Sequence, residues 1–200
     1  TRTKLAEQHF NEVILFFDSL FGKYPFSKEK YGQAQFGWGG GMEHQTMSFI
    51  GNFDAYLLIH ELAHQWFGDK ITCGSWEDIW LNEGFATYLQ GLGRQRIVPS
   101  TWNSFLTGIS NTITTKPDGS VFCDDTTDVS RIFDYRLTYC KGAYLLHMLR
   151  WVMGDSTFFT SIRNYISDTS LVYSYARTSN LKTHLELGSG LNLTYFFNQW

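Results

Sequence analysis

The sequence predicts an α+β fold, with a small sheet near the N-terminus followed by a mainly helical lobe. Three observations carry this. Short alternating segments flank a glycine cluster, Gly37–Trp38–Gly39–Gly40–Gly41, in the first part of the chain. Beyond residue 53 apolar positions recur mostly at helical spacing. Hydrophobic residues make up 43% and charged residues 18% of 200 residues, which is enough for one sizeable core or two lobes sharing one.

Taken in order, residues Lys4 to Phe21 carry Leu5, Phe10, Val13, Ile14, Phe17, Leu20 and Phe21 in an amphipathic pattern, stopped by Gly22 and Pro25. Strands are expected over Gly32–Phe36 and Gln45–Ile50, with the glycine-rich bend between them. Asp54 suits the N-cap of a helix running to Phe67, with Gly68 as its stop. A second helix is expected over Leu81–Ile97, ending before Pro99. Further helices are expected over Ser100–Ile109, Thr138–Met153, Ser156–Ser167, Asn180–Leu187 and Leu193–Trp200. Asn111 to Asp134, with Pro117 and Asp118–Gly119, reads as a long loop, and such loops are often functional. The organisation is one domain over 1–200, with a strand-containing lobe over 1–52 and a helical lobe over 53–200.

Net charge is −3, and no Lys/Arg run appears, which argues against a nucleic-acid partner. The longest apolar run, Val13 to Phe17, is too short to span a membrane. Seven Trp and seventeen Phe suit a well-filled core and an aromatic-lined cleft. Cys73, Cys123 and Cys140 lack CxxC spacing, which argues against a cysteine metal site. Their odd number leaves either one disulfide with a free thiol or three thiols. The chain opens at Thr1 with a polar stretch and no visible signal peptide, so it reads as a processed product or an excised domain of a longer protein. Low Lys with abundant Ser, Thr and Asn leans towards an exported protein and leaves the location open.

His60–Glu61–Leu62–Ala63–His64 is an HExxH pentapeptide on an expected helix. Residues four apart lie on the same helical face, so the two imidazoles can converge on one zinc ion. Glu61 stands beside them and is placed to act as general base towards a metal-bound water. Leu57, Leu58, Ala63 and Phe67 make this helix largely buried, where two His and a Glu without a partner would be costly. A third ligand is needed, and Glu83 in Asn82–Glu83–Gly84–Phe85–Ala86 is a candidate, separated from His64 by eighteen residues. Glu77 and Asp78 are the rivals, as ligands or as groups that orient a ligating His.

The run HELAHQWFGDKITCGSWEDIWLNEGFATYL, from His60 to Leu89, closely resembles the M1 family of zinc aminopeptidases. The resemblance implies a thermolysin-like catalytic domain. It implies one Zn²⁺ held by His60, His64 and Glu83, with Glu61 as base. Gly40–Gly41–Met42–Glu43–His44 resembles the family's GxMEN exopeptidase motif. That implies that Glu43 binds the free α-amine of a peptide, while the backbone of Gly40, Gly41 and Met42 aligns it as an added strand. His44 stands where the family usually has Asn, which helps hold the substrate backbone. The segment Phe133 to Ala143 is similar to the family's TYxKGA segment, which implies oxyanion stabilisation by Tyr139. Tyr135 is the rival there, and Lys141 is expected to brace the site. The resemblance extends to Leu191–Asn192–Leu193 and Phe196–Trp200, and it implies further domains packed on this one.

Two other readings use the same residues: a dual-function zinc hydrolase that also opens an epoxide, and a zinc-stabilised binding module without catalysis. The intact Glu61 and Tyr139 argue against the second. His9, His147 and His184 lack ligand-spaced partners, Asp124, Asp125 and Asp128 lack the spacing of a calcium loop, and no GK[ST] follows the glycine cluster.

Overall fold

The computed structural model describes residues 2–200, with side-chain environments from residue 9 onward. Helix α1 (Arg2–Phe21) buries Val13, Phe17 and Phe21, each one turn from the next. The rings of Phe17 and Phe21 meet Trp66 and Phe67 edge-on, with centroids 5.8 and 5.4 Å apart. Leu5 lies outside the described side chains, while Phe10, Ile14 and Leu20 pack part-buried on the same core.

Three short strands follow: β1 (Gly32–Gln35), β2 (Gly41–Met42) and β3 (Met47–Ile50). The sheet order is β1-β3-β2, with β1 parallel and β2 antiparallel to β3. On β3, Ser48 and Ile50 are buried while Met47 and Phe49 face outward, the alternation that predicted this strand. Strand β2 lies inside the glycine-rich bend, where two residues are too few to show a period.

Helix α2 (Ala55–Ala63) starts at the expected N-cap, with Asp54 Oδ1 accepting from Tyr56 N–H at 2.9 Å. It is shorter than the sequence suggests, because the chain tightens after His64. Gln65 and Trp66 N–H donate to Leu62 and Ala63 carbonyls, each at 3.1 Å. This turn buries Trp66 and Phe67 and leads into β4 (Ile71–Cys73), which pairs in parallel with β5 (Ser174–Ala176). Neither strand is visible in the sequence. Each has three residues, and each finds its partner far along the chain.

Helix α3 (Trp80–Ile97) is buried over most of its length and packs against α2. Helix α4 (Thr101–Ile113) runs further than expected, so the loop begins later, and that loop holds the short α5 (Val129–Ile132). A π-helical turn over Tyr135–Lys141 then leads into α6 (Gly142–Met153), which packs on the other side of α3. Asp134 starts this turn earlier than the sequence indicates, its carboxylate accepting from Leu137 N–H at 2.9 Å. Helices α7 (Asp155–Tyr165) and α8 (Thr178–Ser189) follow. The last predicted helix shrinks to α9 (Thr194–Phe197). All three cysteines are free thiols, Cys73 half-buried and the others buried. No helix among the described residues is long and apolar enough to cross a membrane.

Candidate metal centre

Where α2 packs on α3, three donor atoms converge. His60 Nε2 lies 3.2 Å from His64 Nε2 and 3.2 Å from Glu83 Oε2, and His64 Nε2 lies 3.4 Å from that oxygen. A tetrahedral zinc ion with bonds of roughly 2.0–2.1 Å sets its ligand atoms about 3.3–3.4 Å apart, so these donors fit one such ion. His64 Nδ1–H donates to the Phe67 carbonyl at 3.0 Å, which leaves Nε2 as the free ring nitrogen facing the cluster. The tight turn after α2 therefore has a role, because it brings that carbonyl back under the imidazole.

The charges around the three donors favour a cation between them. Burial lowers the pKa of His60. Burial acts the same way on His64, but Glu43 and Glu83 outweigh it and hold that imidazole well above its ordinary value. Burial would raise Glu83, yet His64 and the hydrogen bonds from both rings bring it down to about 2. Without a metal, one proton on His64 balances the Glu83 anion. A bound metal supplies that positive charge instead.

Glu61 is 3% exposed, and its Oε2 has no hydrogen-bond partner. Burial pushes its carboxyl up to about 8, against the lowering pull of His64. This oxygen is thus an acceptor left free for a proton-bearing group in the cleft that Glu61 lines. Strand β2 passes directly over this carboxylate. A Cβ on Gly41 would collide with the Glu61 carboxylate, so any side chain here would displace either β2 or that carboxylate.

Tyr139 is brought to the same centre by a second glycine contact. A Cβ on Gly84 would meet the Gly142 backbone at 3.0 Å, so α3 and α6 approach without a side chain between them. Tyr139 then stacks near His60, with ring centroids 6.0 Å apart. Burial first, then the carboxylates of Glu83, Glu43 and Glu61, raise its phenol well above the ordinary value, so it stays a hydrogen-bond donor. Its rival Tyr135 is 64% exposed and sits beside it, with centroids 5.9 Å apart.

Glu43 Oε1 lies 4.0 Å from His64 Nδ1. Two clefts flank the donors. One of about 1010 Å³ is lined by Met42, Glu43, His44, Asp69, Trp76 and Tyr139 among others. The other, of about 490 Å³, includes Gly40, Gly41, Glu61, Gln90 and Tyr135. His44 is exposed and leans on Phe49, with ring centroids 5.2 Å apart. Lys141 points away, its Nζ donating to the Gly119 carbonyl at 2.5 Å.

The rivals for the third ligand are used elsewhere. Asp78 is buried and accepts from Thr178 N–H at 3.0 Å and Thr178 Oγ1 at 2.7 Å. Glu77 accepts from Arg177 at 2.9 Å. Together they clamp the lead-in of α3 to the start of α8.

The model of the peptidase family M1 domain matches residues 52–200. The chain belongs to peptidase family M1. Aminopeptidase M1-A from rice is 35% identical over 153 residues, covering 73% of this chain and 17% of the rice protein. Aminopeptidase N from Lactococcus lactis is 33% identical over 156 residues, covering 73% and 18%. This M1 chain thus spans about a sixth of the length of those relatives. An M1 zinc metallopeptidase from Deinococcus radiodurans, an E323A mutant, superposes with a TM-score of 0.80 at 27% identity, over 92% of this chain and 41% of that one. Yeast LTA4 hydrolase superposes with a TM-score of 0.73 at 24% identity, over 89% of this chain and 31% of that one, a likeness of fold.

In this M1 chain Gln65 and Asp69, marked by no motif, form a hydrogen-bonded pair next to His64. The one signal for Gln65 was a polar residue next to His64 in an otherwise apolar run.

Proposed function

We propose that this chain is the catalytic domain of a zinc aminopeptidase, which removes N-terminal residues from peptides with a free amine. One observation carries the reading: the Glu43 carboxylate stands 4.0 Å from a ring atom of His64, so an amine anchor lies beside the donor cluster. A carboxylate there holds a substrate ammonium close enough that the first peptide bond reaches the centre and later bonds do not.

His60, His64 and Glu83 would hold the zinc ion, which would supply Lewis-acid activation of the scissile carbonyl and of water. Glu61, with its unpartnered oxygen, takes the proton from the attacking water and passes it to the departing amine. Tyr139 donates its phenol hydrogen to the oxygen that gains charge. Gly40, Gly41 and Met42 offer the edge of β2 to the extended peptide. The Deinococcus enzyme has a solved structure bound to a Tyr-Ser-Ala substrate, which suits the same substrate class here. Flanking domains pack on this one in the full-length protein, in keeping with its small share of its relatives.

The test is turnover of aminoacyl-anilides by zinc-loaded full-length protein, beside the same compounds with acetylated amines. Cleavage of free amines only is expected. Glu43→Ala should raise KM for them by about ten- to a hundredfold. Equal cleavage of blocked substrates would overturn the exopeptidase assignment in favour of an endopeptidase.

A further inference from the structure

Behind the donor cluster runs a polar chain that the proposed chemistry does not use. Gln65 follows His64 directly and is 0% exposed. Its Oε1 accepts from Thr46 N–H at 2.9 Å and from the Tyr24 hydroxyl at 2.9 Å. Its Nε2 donates to Asp69 Oδ2 at 2.6 Å. A backbone N–H only donates, so the amide orientation is fixed by its partners. A buried amide paired through both its oxygen and its nitrogen is rigid, because each broken bond strands a group away from water.

Its contact with Thr46 is the informative one. Thr46 holds φ at +63°, an uncommon and strained conformation for a β-branched residue. It lies in a turn closed by Met47 N–H donating to the His44 carbonyl at 2.9 Å, and Glu43 is the residue just before that turn. Strain of this kind persists only where surrounding contacts enforce it. Gln65 provides that contact, and it is covalently next to a candidate metal ligand.

We infer that Gln65 is a positioning residue for amine recognition: it ties the 44–47 turn to the end of the metal-bearing helix and so sets the distance between Glu43, just before that turn, and the donor cluster. The inference rests on the proposed function and deepens it. Asp69 is part of the device, since it holds the amide of Gln65 from the other side. The apolar core does none of this, because the turn carries exposed residues and packs little into it.

The test exploits the direction of the hydrogen bonds. Gln65→Glu keeps the acceptor for Thr46 and Tyr24 but sets a carboxylate against Asp69. Adding Asp69→Asn restores a donor–acceptor pair with the roles reversed. The readout is the ratio of dissociation constants for leucine hydroxamate and N-acetyl-leucine hydroxamate on the zinc-loaded full chain, with zinc content measured alongside. Gln65→Glu should shrink the preference for the free amine by about tenfold or more at full zinc occupancy. The double variant should recover most of it. A preference unchanged in Gln65→Glu overturns the inference. So does a loss that Asp69→Asn leaves unrepaired, which would make the residue merely structural. If the unaltered protein already shows no free-amine preference, the proposed function fails, and this inference fails with it.

Discussion

On one side of the cleft, His60, His64 and Glu83 stand on two helices whose interface is buried along its length. On the other, Glu43 stands before a turn with exposed neighbours, a strained Thr46 and a strand of two residues. The helical side places its groups by regular periodicity and close packing. The rim places its group by glycine and by one buried amide. The contrast teaches that the donor cluster is fixed by many weak contacts, while Glu43, the proposed recognition group, hangs on a few strong ones. A single substitution at the rim should therefore alter recognition while sparing the donor cluster, whereas one among the packed apolar residues between α2 and α3 should disturb both.

The strongest way to test that division is to remove the chemistry and leave the wall standing. Glu61→Gln should lower kcat by ~10²–10⁴-fold. Zinc content, measured by metal analysis, should stay at one ion, because Glu61 is no ligand in this arrangement. Loss of the ion together with activity would show that the two sides are not separable in this way.

Gly41→Ala attacks the seam between them. The added Cβ would collide with the Glu61 carboxylate, so either β2 or the carboxylate must move. Turnover should fall by about 10²-fold, the loss that a misplacement of about 1 Å in reacting groups can cause. Melting temperature should change far less, since β2 contributes little to the core. An active Ala variant would mean that β2 is more mobile than its pairing with β3 suggests.

The smallest effect sharpens the comparison through pH. Burial pushes Glu61 up to about 8 and Asp69 up to about 7 in the metal-free protein. An acid whose folded pKa lies above its unfolded value favours the folded state at low pH and loses that contribution as pH rises through the folded value. The raised His64 acts in the same direction, and the lowered His60 opposes it. Melting temperature of the chelated protein should therefore fall between about pH 5 and pH 8. Zinc loading should flatten that slope, because the cation replaces the missing positive charge. A melting temperature that rises over this interval in the chelated protein would count against the assignment.

The same contrast explains what the sequence made legible. The helical side was readable because HExxH spacing and apolar periodicity both report a regular helix, and NEGFA marks the next one. The rim was readable only through the GGMEH resemblance. Alternation found β1 and β3 but had no purchase on β2. Strands β4 and β5 were missed because a parallel pair of three-residue segments leaves no local trace. Helix α2 is shorter than its sequence suggests because nothing in His64 to Phe67 breaks a helix, while the chain there tightens into a turn whose Phe67 carbonyl accepts from His64 Nδ1–H. Glu77 and Asp78 stayed open as ligands because their true partners, Arg177 and Thr178, lie far along the chain.

That last clamp also sets an order of events. A chain emerging from a ribosome exposes HELAH and NEGFA long before Thr178 exists. Until β5 and Thr178 arrive, the Asp78 carboxylate has no donors for its buried position, and the lead-in of α3 has nothing to hold it. Contacts of such long range form late, after local helices are in place. The lead-in of α3, which carries Glu83, is therefore held in place only once residues 174–178 dock, so a half-made chain has His60, His64 and Glu83 in its sequence before it has the clamp that steadies their cradle.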